Sequence, residues 1–227
     1  MKVHKLKRVS CLELAGQDVR DSIEKIANQK GFIFKEFNER LILDEIKENM
    51  CYIAQDFEKK EKEANKLEKI YKLLDKKEIK LGAERFEYTE QLFNPNKYGK
   101  DMNGIAIQVN DSLMQIEPNL KTELYRNIVL AGGSTMMTGF VERFNTEFTK
   151  FAPESMKLIL TAPPNGDIAV YMGGKIFASL STFKSACVSF KDYDECGPDI
   201  TEFAHKTFLL FILIKIVFIN LCYCTIS

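Results

Sequence analysis

The spacing of apolar residues predicts two amphipathic helices in the first quarter of the chain. Between residues 17 and 30 apolar positions recur every three or four residues, and Gly31 follows where a helix C-cap is expected. These positions are Val19, Ile23, Ile26 and Ala27. A longer helix is predicted over residues 39–57, with an apolar face opposite a charged one. That apolar face carries Ile42, Ile46, Met50 and Ile53.

The middle of the chain alternates between two kinds of pattern. Short aliphatic runs predict strands at residues 105–109, 127–131 and 157–161, and the segments 118–125 and 139–151 between them predict helices. The second of these helices has phenylalanines at helical spacing, which is typical of a core face rather than of a cofactor site. They are Phe140, Phe144, Phe148 and Phe151. Strands that alternate with helices indicate an α/β fold.

Residues 58–80 differ in composition from the segments on either side. Lysine and glutamate are interspersed along this stretch, so that neither charge dominates. Such a pattern predicts a solvated helix or loop, and a partner-binding surface is the alternative.

Net charge and cysteine usage narrow the classes of function. Thirty-two Lys and Arg balance 32 Asp and Glu, so the chain lacks the positive field that attracts nucleic acid or an anionic membrane. The six cysteines are scattered and His4 and His205 are the two histidines, so a zinc site is not expected. The first ten residues are basic without the apolar stretch of a secretory signal. We therefore expect a cytoplasmic protein with free thiols.

The most distinctive segment joins a predicted strand to the next helix. Residues 130–139 read Leu-Ala-Gly-Gly-Ser-Thr-Met-Met-Thr-Gly. Paired glycines after a strand allow the backbone to approach a ligand, and the N-terminus of the following helix offers N–H groups to an anion. Taken alone, the same glycines also suit a plain strand-to-helix turn.

This turn is accompanied by further motifs along the chain. It resembles the adenosine-side loop of the actin family, and further family motifs follow in the family order. They are Leu-Ala-Gly-Gln-Asp at 14–18, the helical segment 39–58, Glu-Arg-Phe at 84–86 with Leu-Phe-Asn-Pro at 92–95, and a dense series from 151 to 198. That series includes Ala-Pro-Pro at 162–164, Ser-Leu-Ser-Thr-Phe at 179–183 and Tyr-Asp-Glu at 193–195. The resemblance spans roughly residues 12 to 200.

The resemblance implies an architecture. It is the C-terminal half of the actin-type ATPase fold, an α/β fold of the ribonuclease H-like class that includes Hsp70 and hexokinase. The implied divisions are a remnant of the inner subdomain at 1–14, a small outer subdomain at 15–103, an inner subdomain at 104–168, a segment at 169–208 that packs on the opposite lobe in actins, and a hydrophobic tail at 209–227. The rest of that opposite lobe is missing from these residues.

The resemblance also implies a nucleotide site for ATP or ADP with Mg²⁺. Its residues are Gly16, Lys47, Glu48, Gly132, Gly133, Ser134, Met136 and Met137. Lys47 and Glu48 would reach adenine and ribose, and an exposed helical pair without a ligand is the alternative. Three positions depart from the family: Asp44 replaces an arginine, Met137 a tyrosine and Asp167 a lysine. Two of these changes put negative charge near a polyanion, which should weaken binding.

The chemistry of the family needs two phosphate loops, which resemble Asp-Asn-Gly-Ser-Gly and Asp-Ser-Gly-Asp-Gly. Neither string occurs here, and no two of the 12 glycines are separated by a single residue. Phosphoryl transfer depends on positioning and charge stabilisation by such loops. We therefore expect no ATPase activity, and we assign no catalytic and no metal-binding residues.

Two apolar features of the sequence are candidates for contacts with a partner. Ile176, Phe177, Leu180 and Phe183 resemble part of the hydrophobic groove of actins, and packing inside the fold is the alternative. Residues 208–224 form an apolar tail that Lys215 and Asn220 interrupt. This tail could be a membrane anchor, a packed helix or strand, or a segment without a role.

The expected function is that of a truncated actin or actin-like cytoskeletal protein, whose partners are actin protomers or actin-binding proteins. The alternative is an actin-related scaffold subunit of a chromatin-remodelling or motor-adaptor complex. A sugar kinase or an Hsp70-like chaperone is disfavoured, because the C-terminal motifs resemble actins specifically. We expect neither nucleic acid nor, apart from the tail, a membrane as a partner.

Overall fold

The computed structural model describes residues 12–34, 36–63, 67–73, 76–153, 156–200 and 217–220. The helices are α1 (Gly16–Gln29), α2 (Phe37–Met50), α3 (Phe57–Lys62), α4 (Glu84–Glu90), α5 (Ile105–Met114), α6 (Pro118–Tyr125), α7 (Phe140–Thr149), α8 (Ala169–Ala178) and α9 (Phe190–Cys196). The strands are β1 (Lys69–Lys72), β2 (Glu78–Leu81), β3 (Ile128–Ala131), β4 (Leu160–Thr161) and β5 (Val217–Asn220). Most of the predicted 1–14 remnant and of the 209–227 tail lies outside the described residues.

The α/β prediction is confirmed by a parallel sheet that packs with helices. β3 is the central strand, with β4 and β5 on its two sides, both parallel to it. The predicted strand 127–131 is confirmed as β3, whereas the predicted strand 157–161 is regular only at Leu160–Thr161. The predicted helices 118–125 and 139–151 are confirmed as α6 and α7.

A first cluster of buried side chains, the sheet core, lies where β3 meets α5, α6 and α7. Phe140, Phe144 and Phe148 are fully buried along one face of α7, with the rings of Phe144 and Phe148 stacked 5.3 Å apart. The same prediction was wrong for Phe151, which is 36% exposed because α7 ends at Thr149. The sheet core also takes in Leu14, Ile53 and Leu92 from earlier in the chain.

A second cluster, the N-terminal core, is formed by α1, α2 and the β1–β2 hairpin. The predicted helix at 17–30 is confirmed as α1, whose residues Val19, Ile23 and Ile26 are buried. Gly31 follows the helix with φ +86°, a conformation that glycine adopts without steric cost. Residues of α2 and β2 complete this core.

The predicted helix 39–57 was wrong in its second half. α2 ends at Met50, and Cys51 is extended. The next residues bond to other elements: the Tyr52 N–H donates to the Arg85 carbonyl at 3.1 Å and the Ile53 N–H to the Thr138 carbonyl at 2.8 Å. Asp56 then caps α3, because its carboxylate accepts from the Lys59 N–H. Ile53 therefore packs in the sheet core and not on the face of α2.

The charged segment 58–80 is more structured than a solvated helix or loop. It contains α3 and, after it, the antiparallel pair β1–β2, with Lys69 opposite Leu81. Ile79 and Leu81 alternate with exposed residues and are buried in the N-terminal core. This hairpin was not predicted, because the many lysines and glutamates obscure the short alternation of apolar and polar residues in β2.

The predicted strand at 105–109 was wrong, since these residues begin α5. Ile105, Ala106 and Leu113 are buried and Val109 packs against the sheet core, which is a helical spacing. Gly104 allows the helix to begin there. A Cβ on Gly104 would lie 1.8 Å from the Phe93 carbonyl oxygen, so no larger residue fits.

A buried ion pair joins α4 to α7. The Arg143 guanidinium donates to both carboxylate oxygens of Glu90, at 3.1 and 2.9 Å, and to the Ala54 carbonyl at 2.6 Å. Its Nε donates to Glu147 at 2.9 Å. Arg143 is 5% exposed and Glu90 1%. This bidentate pair fixes α7, and hence the turn before it, relative to the loop at Ala54.

The segment 169–200 differs from the rest. α8 and α9 contain no buried residue. Across this segment, large apolar side chains are exposed: Val170, Tyr171, Met172, Ile176, Leu180, Phe190 and Tyr193. No helix in the described part of the chain is both long and apolar enough to cross a membrane.

Candidate nucleotide site

The turn after β3 has a backbone that glycine makes possible. Gly132 has φ +94°, a region that other residues rarely adopt, and its N–H donates to the Gly166 carbonyl at 2.7 Å. The Gly132 carbonyl accepts from the Thr135 N–H at 3.0 Å and from the Thr135 hydroxyl at 2.8 Å. A short 3-10 turn, Gly133–Met136, follows. The segment 130–139 is therefore a rigid turn that connects β3 to α7.

The start of α1 lies directly against this turn. A Cβ on Gly16 would lie 2.8 Å from the Ser134 hydroxyl oxygen and 3.6 Å from the Lys47 ammonium nitrogen. Only a residue without a side chain allows this approach. The fold thus brings together three of the predicted nucleotide residues from α1, α2 and the turn after β3.

Lys47 is 2% exposed and its ammonium group is already paired. Its nitrogen lies 2.9 Å from one carboxylate oxygen of Asp44, and the other oxygen of Asp44 lies 3.4 Å from the Arg20 guanidinium. Burial lowers the pKa of Lys47, and the hydrogen bond and the charge of Asp44 act in the opposite direction. Asp44 therefore neutralises part of the positive charge that Lys47 could offer to a ligand.

Comparison with known proteins decides which family this arrangement belongs to. The family model for Actin matches residues 6–206 of the chain, which include all eight predicted nucleotide residues. The chain belongs to the actin family. A curated relative, an actin-like protein from Neurospora crassa, is 39% identical over 195 residues, which is 83% of this chain and 51% of the relative. The chain thus spans about half the length of the curated relative that it matches.

Membership of the actin family agrees with the mixed α/β structure and with the resemblance inferred from the motifs. Members of this family generally bind ATP or ADP with Mg²⁺. The strand β5 lies beyond the matched residues, because the match ends at residue 206.

The other predicted nucleotide residues differ in accessibility. Met136 is 45% exposed, and Gly133 is half-buried. Glu48 is exposed on α2, one residue after Lys47, and its charge raises the pKa of Lys47 slightly. Met137 instead packs against the sheet core. The roles of these residues toward a nucleotide remain predictions.

Sequence reasoning missed two features of the site. Arg20 contacts Asp44 from a different helix, and only the packing of α1 on α2 brings them together. Gly166 lies under the turn, where a Cβ would be 3.0 Å from the Met136 sulfur, and the two prolines at 163 and 164 are the one signal that a tight turn is near. Asp167, next to it, is exposed.

Two clefts lie apart from the predicted nucleotide residues. One of about 640 Å³ is lined by Glu90, Phe93, Asn94, Lys97, Arg143 and Glu147 among others. The other, of about 500 Å³, is lined by residues that include Tyr52, Ala54 and Gly139. Neither cleft is lined by any of the eight predicted nucleotide residues.

The polar groups around the turn differ in how far they are exposed and in what they already contact within the fold. Ser134 is 3% exposed and lies beside Gly16, and the N–H groups of Gly132 and Thr135 are bonded within the fold. Glu48 presents an exposed carboxylate, a group that can accept hydrogen bonds from hydroxyls. In contrast, the buried ammonium of Lys47 is held by Asp44. In the part of the chain that the structure describes, no three His, Cys, Asp or Glu residues are grouped as a metal site.

The predicted partner groove has side chains in two different situations. Ile176 is 62% exposed and Leu180 48%. Phe177 and Phe183 contact each other edge to face, with ring centroids 5.4 Å apart. Ile176 and Leu180 therefore lie on the surface of the described part of the chain, whereas Phe177 and Phe183 are half-buried. The assignment of these four residues to a partner groove stays a prediction.

Proposed function

We propose that this chain is actin-like and cytoskeletal and that it carries the C-terminal half of the actin-type fold. It retains the adenosine-side half of a nucleotide cleft and a surface for actin protomers or actin-binding proteins in the cytoplasm. The observation that carries the proposal is the meeting of Gly16, Lys47 and Ser134 at the turn after β3. Three segments far apart in the sequence converge there on the residues that the family resemblance assigns to the nucleotide.

Each residue of the half-site has a role that follows from its position. The turn places backbone N–H groups and the Ser134 hydroxyl at the edge of the sheet where parallel strands end, which is where ligands bind in open α/β sheets. The lack of a side chain at Gly16 allows α1 to approach Ser134 closely. Glu48 accepts hydrogen bonds from ribose, and Met136 covers one face of the base.

Binding is expected to be weak and hydrolysis absent. A bound ATP or ADP would carry its Mg²⁺ on the phosphates, and the glycine spacing of the family's two phosphate loops does not occur in the sequence. Asp44 holds the ammonium of Lys47, and Asp167 adds negative charge to the exposed turn beside Gly166. Both effects oppose a polyanion.

The partner half of the proposal rests on α8. This helix presents large apolar side chains without a buried one, and exposed apolar patches of this kind mark interaction sites. An actin protomer or an actin-binding protein would cover Ile176 and Leu180.

Titration with a fluorescent adenine nucleotide tests the nucleotide half. The wild-type chain should bind weakly, and Ser134→Ala should weaken binding several-fold because the turn loses a hydroxyl donor. Ser185→Ala is the matched control, since Ser185 is exposed and bonds only within its own turn, to the Thr182 carbonyl. Equal affinities of both variants would show that the nucleotide does not contact this turn.

Co-sedimentation with actin filaments tests the partner half. The wild-type chain should sediment with the filaments, and Ile176→Asp should lower the bound fraction because a charge replaces an exposed apolar contact. Lys191→Ala, on the neighbouring exposed helix α9, should leave the bound fraction unchanged. Failure of the wild-type chain to sediment would contradict the filament surface.

A further inference from the structure

The tail strand β5 occupies one whole edge of the central strand of the sheet. It runs parallel to β3 with Ile128 opposite Val217, Val129 opposite Phe218, Leu130 opposite Ile219 and Ala131 opposite Asn220. All four residues of β3 are paired in this way, whereas β4 pairs with only two of them. β5 also lies beyond residue 206, where the actin-family match ends.

The backbone of β3 has polar groups on both of its edges. The Ile128 N–H donates to the Ile159 carbonyl at 3.2 Å, and the Gly132 N–H donates to the Gly166 carbonyl at 2.7 Å, both on the side of β4. Successive residues of a strand point their N–H and carbonyl groups to opposite edges. Val129 and Ala131 therefore direct theirs to the edge that β5 occupies.

With β5 in place, this edge of β3 is covered. Ile128, Leu130 and Ala131 have no exposed surface. Buried N–H and carbonyl groups without a partner are strongly unfavourable, so an edge at this position needs a strand. The tail supplies one with Val-Phe-Ile, residue types that favour strands.

We propose that the β3 edge is an acceptor for a parallel strand and that residues 217–220 of the same molecule are its occupant. The tail is then a structural strand of the fold and not a membrane anchor. This inference does not depend on nucleotide binding. The sequence between the described segments is long enough for pairing within one chain, because the 17 residue-to-residue steps from Ile200 to Val217 can extend over roughly 55 Å.

The pairing also bears on the candidate site. Asn220 lies opposite Ala131, the last residue of β3, and Gly132 begins the turn immediately after it. A strand on this edge therefore holds β3 as far as the turn. Loss of the strand should loosen the turn as well as the sheet.

Proline substitutions in the full chain provide a matched test. In the observed register, the N–H of residue 219 points to β3 and that of residue 218 points away from it. Ile219→Pro removes a donor to β3, whereas Phe218→Pro also replaces an apolar residue but removes an N–H on the outer side, where proline is tolerated. Hydrogen exchange resolved to single amides is the readout.

The expected result is selective. In the wild-type chain the Val129 and Ala131 amides should be protected, and Ile219→Pro should speed their exchange by about tenfold or more, as expected for a lost hydrogen-bonded pair. Phe218→Pro should change them much less. The Ile128 amide, which bonds on the side of β4, should respond least in both variants.

Three outcomes would overturn the inference. The first is rapid hydrogen exchange of the Val129 and Ala131 amides in the wild-type chain, or an equal effect of Ile219→Pro and Phe218→Pro on their exchange. The second is protection that disappears on dilution together with a dimer in sedimentation, which would assign the strand to a second copy. The third is flotation of the wild-type chain with phosphatidylcholine vesicles accompanied by loss of this protection, which would make the tail a membrane segment.

A chain that stops after residue 207 gives an independent measurement. It should expose the β3 edge, and a synthetic peptide of residues 213–223 added in trans should restore protection of the Val129 and Ala131 amides. A peptide with Ile219→Pro should not restore it. Full protection of the shortened chain without any peptide would contradict the proposal.

Discussion

The region around β3 and the segment 169–200 differ in how far their apolar side chains are buried. Around β3, Phe140, Phe144 and Phe148 of α7 are completely buried, and the buried pair of Arg143 and Glu90 is joined by two hydrogen bonds. In α8 and α9 no residue is buried, although apolar side chains are frequent. Hydrophobic composition is similar, yet only the first region has a complementary surface among the described residues. The first region is therefore a packed core, whereas α8 and α9 contribute no buried residue to a core.

Truncating one phenylalanine in each region tests this contrast most strongly. Phe144 is fully buried between Phe140 and Phe148, and Phe190 is 84% exposed. Phe144→Ala should lower the free energy of unfolding by about 3–5 kcal/mol, because it removes buried apolar area and leaves a cavity. Phe190→Ala should change it by less than about 0.5 kcal/mol. Urea denaturation measures both, and similar losses would show that α9 is packed after all.

The buried ion pair provides the next largest effect. Arg143→Met removes the guanidinium and leaves the Glu90 carboxylate buried without its partner, so we expect a loss of roughly 3 kcal/mol. Lys175→Met on exposed α8 is the control, and its effect should be near zero. The double variant Arg143→Met with Glu90→Gln should recover part of the loss. A loss below about 1 kcal/mol for Arg143→Met would mean that water reaches this pair.

The pKa and the reactivity of cysteine thiols distinguish buried from exposed environments. Cys51 is buried in the N-terminal core, and burial raises its pKa to about 12, whereas Cys187 and Cys196 are exposed. The folded state keeps the Cys51 proton while the unfolded thiol, with its ordinary pKa of 9.0, loses it. The contribution of Cys51 to the free energy of unfolding is therefore fully present below pH 9. It should fall as the pH rises from 9 toward 12, by up to about 1.4 kcal/mol per pH unit.

The control for that pH dependence is Cys51→Ala. The free energy of unfolding of this variant should change less between pH 9 and 12 than that of the wild type. Labelling of native protein with a thiol reagent at pH 8 should modify Cys187 and Cys196 quickly and Cys51 only on unfolding. Rapid labelling of Cys51 would contradict its burial.

A smaller effect tests the contact that defines the candidate site. Gly16→Ala places a methyl group within 2.8 Å of the Ser134 hydroxyl, so we expect a loss of about 1–2 kcal/mol, as for a modest overpacking. Ser134→Ala removes the obstructing oxygen, and the double variant should lose less than the sum of the single ones. Additive losses in thermal denaturation would show that the two residues are not in contact.

Local patterns predicted the elements whose apolar periodicity is clear, such as α1, α6, α7 and β3. They failed where other forces decide. Ile105 and Val109 are β-branched and favour a strand, but they lie on the buried face of α5, which Gly104 starts under the Phe93 carbonyl. The helix 39–57 stops at Met50 because Tyr52 and Ile53 bond to distant backbone groups. Such bonds have no local sequence signal.

The proximity of three predicted nucleotide residues could be expected from the sequence, but the charges around them could not. The family motifs pointed to Gly16, Lys47 and Ser134, which the fold brings together. The pairing of Asp44 with both Lys47 and Arg20 depends on how α1 packs on α2. The strand β5 was one of three alternatives for the tail, and its place beside β3 required the structure.

The central claim is that the chain holds only the adenosine side of a nucleotide cleft, and calorimetric titration with adenosine and with ATP tests it directly. Each ligand is measured in Mg²⁺ and in excess EDTA, on the full chain. We predict weak affinities that are similar for the two ligands and independent of Mg²⁺, because the triphosphate gains no contacts. Binding of ATP that is a hundredfold tighter than that of adenosine, and that requires Mg²⁺, would contradict the account.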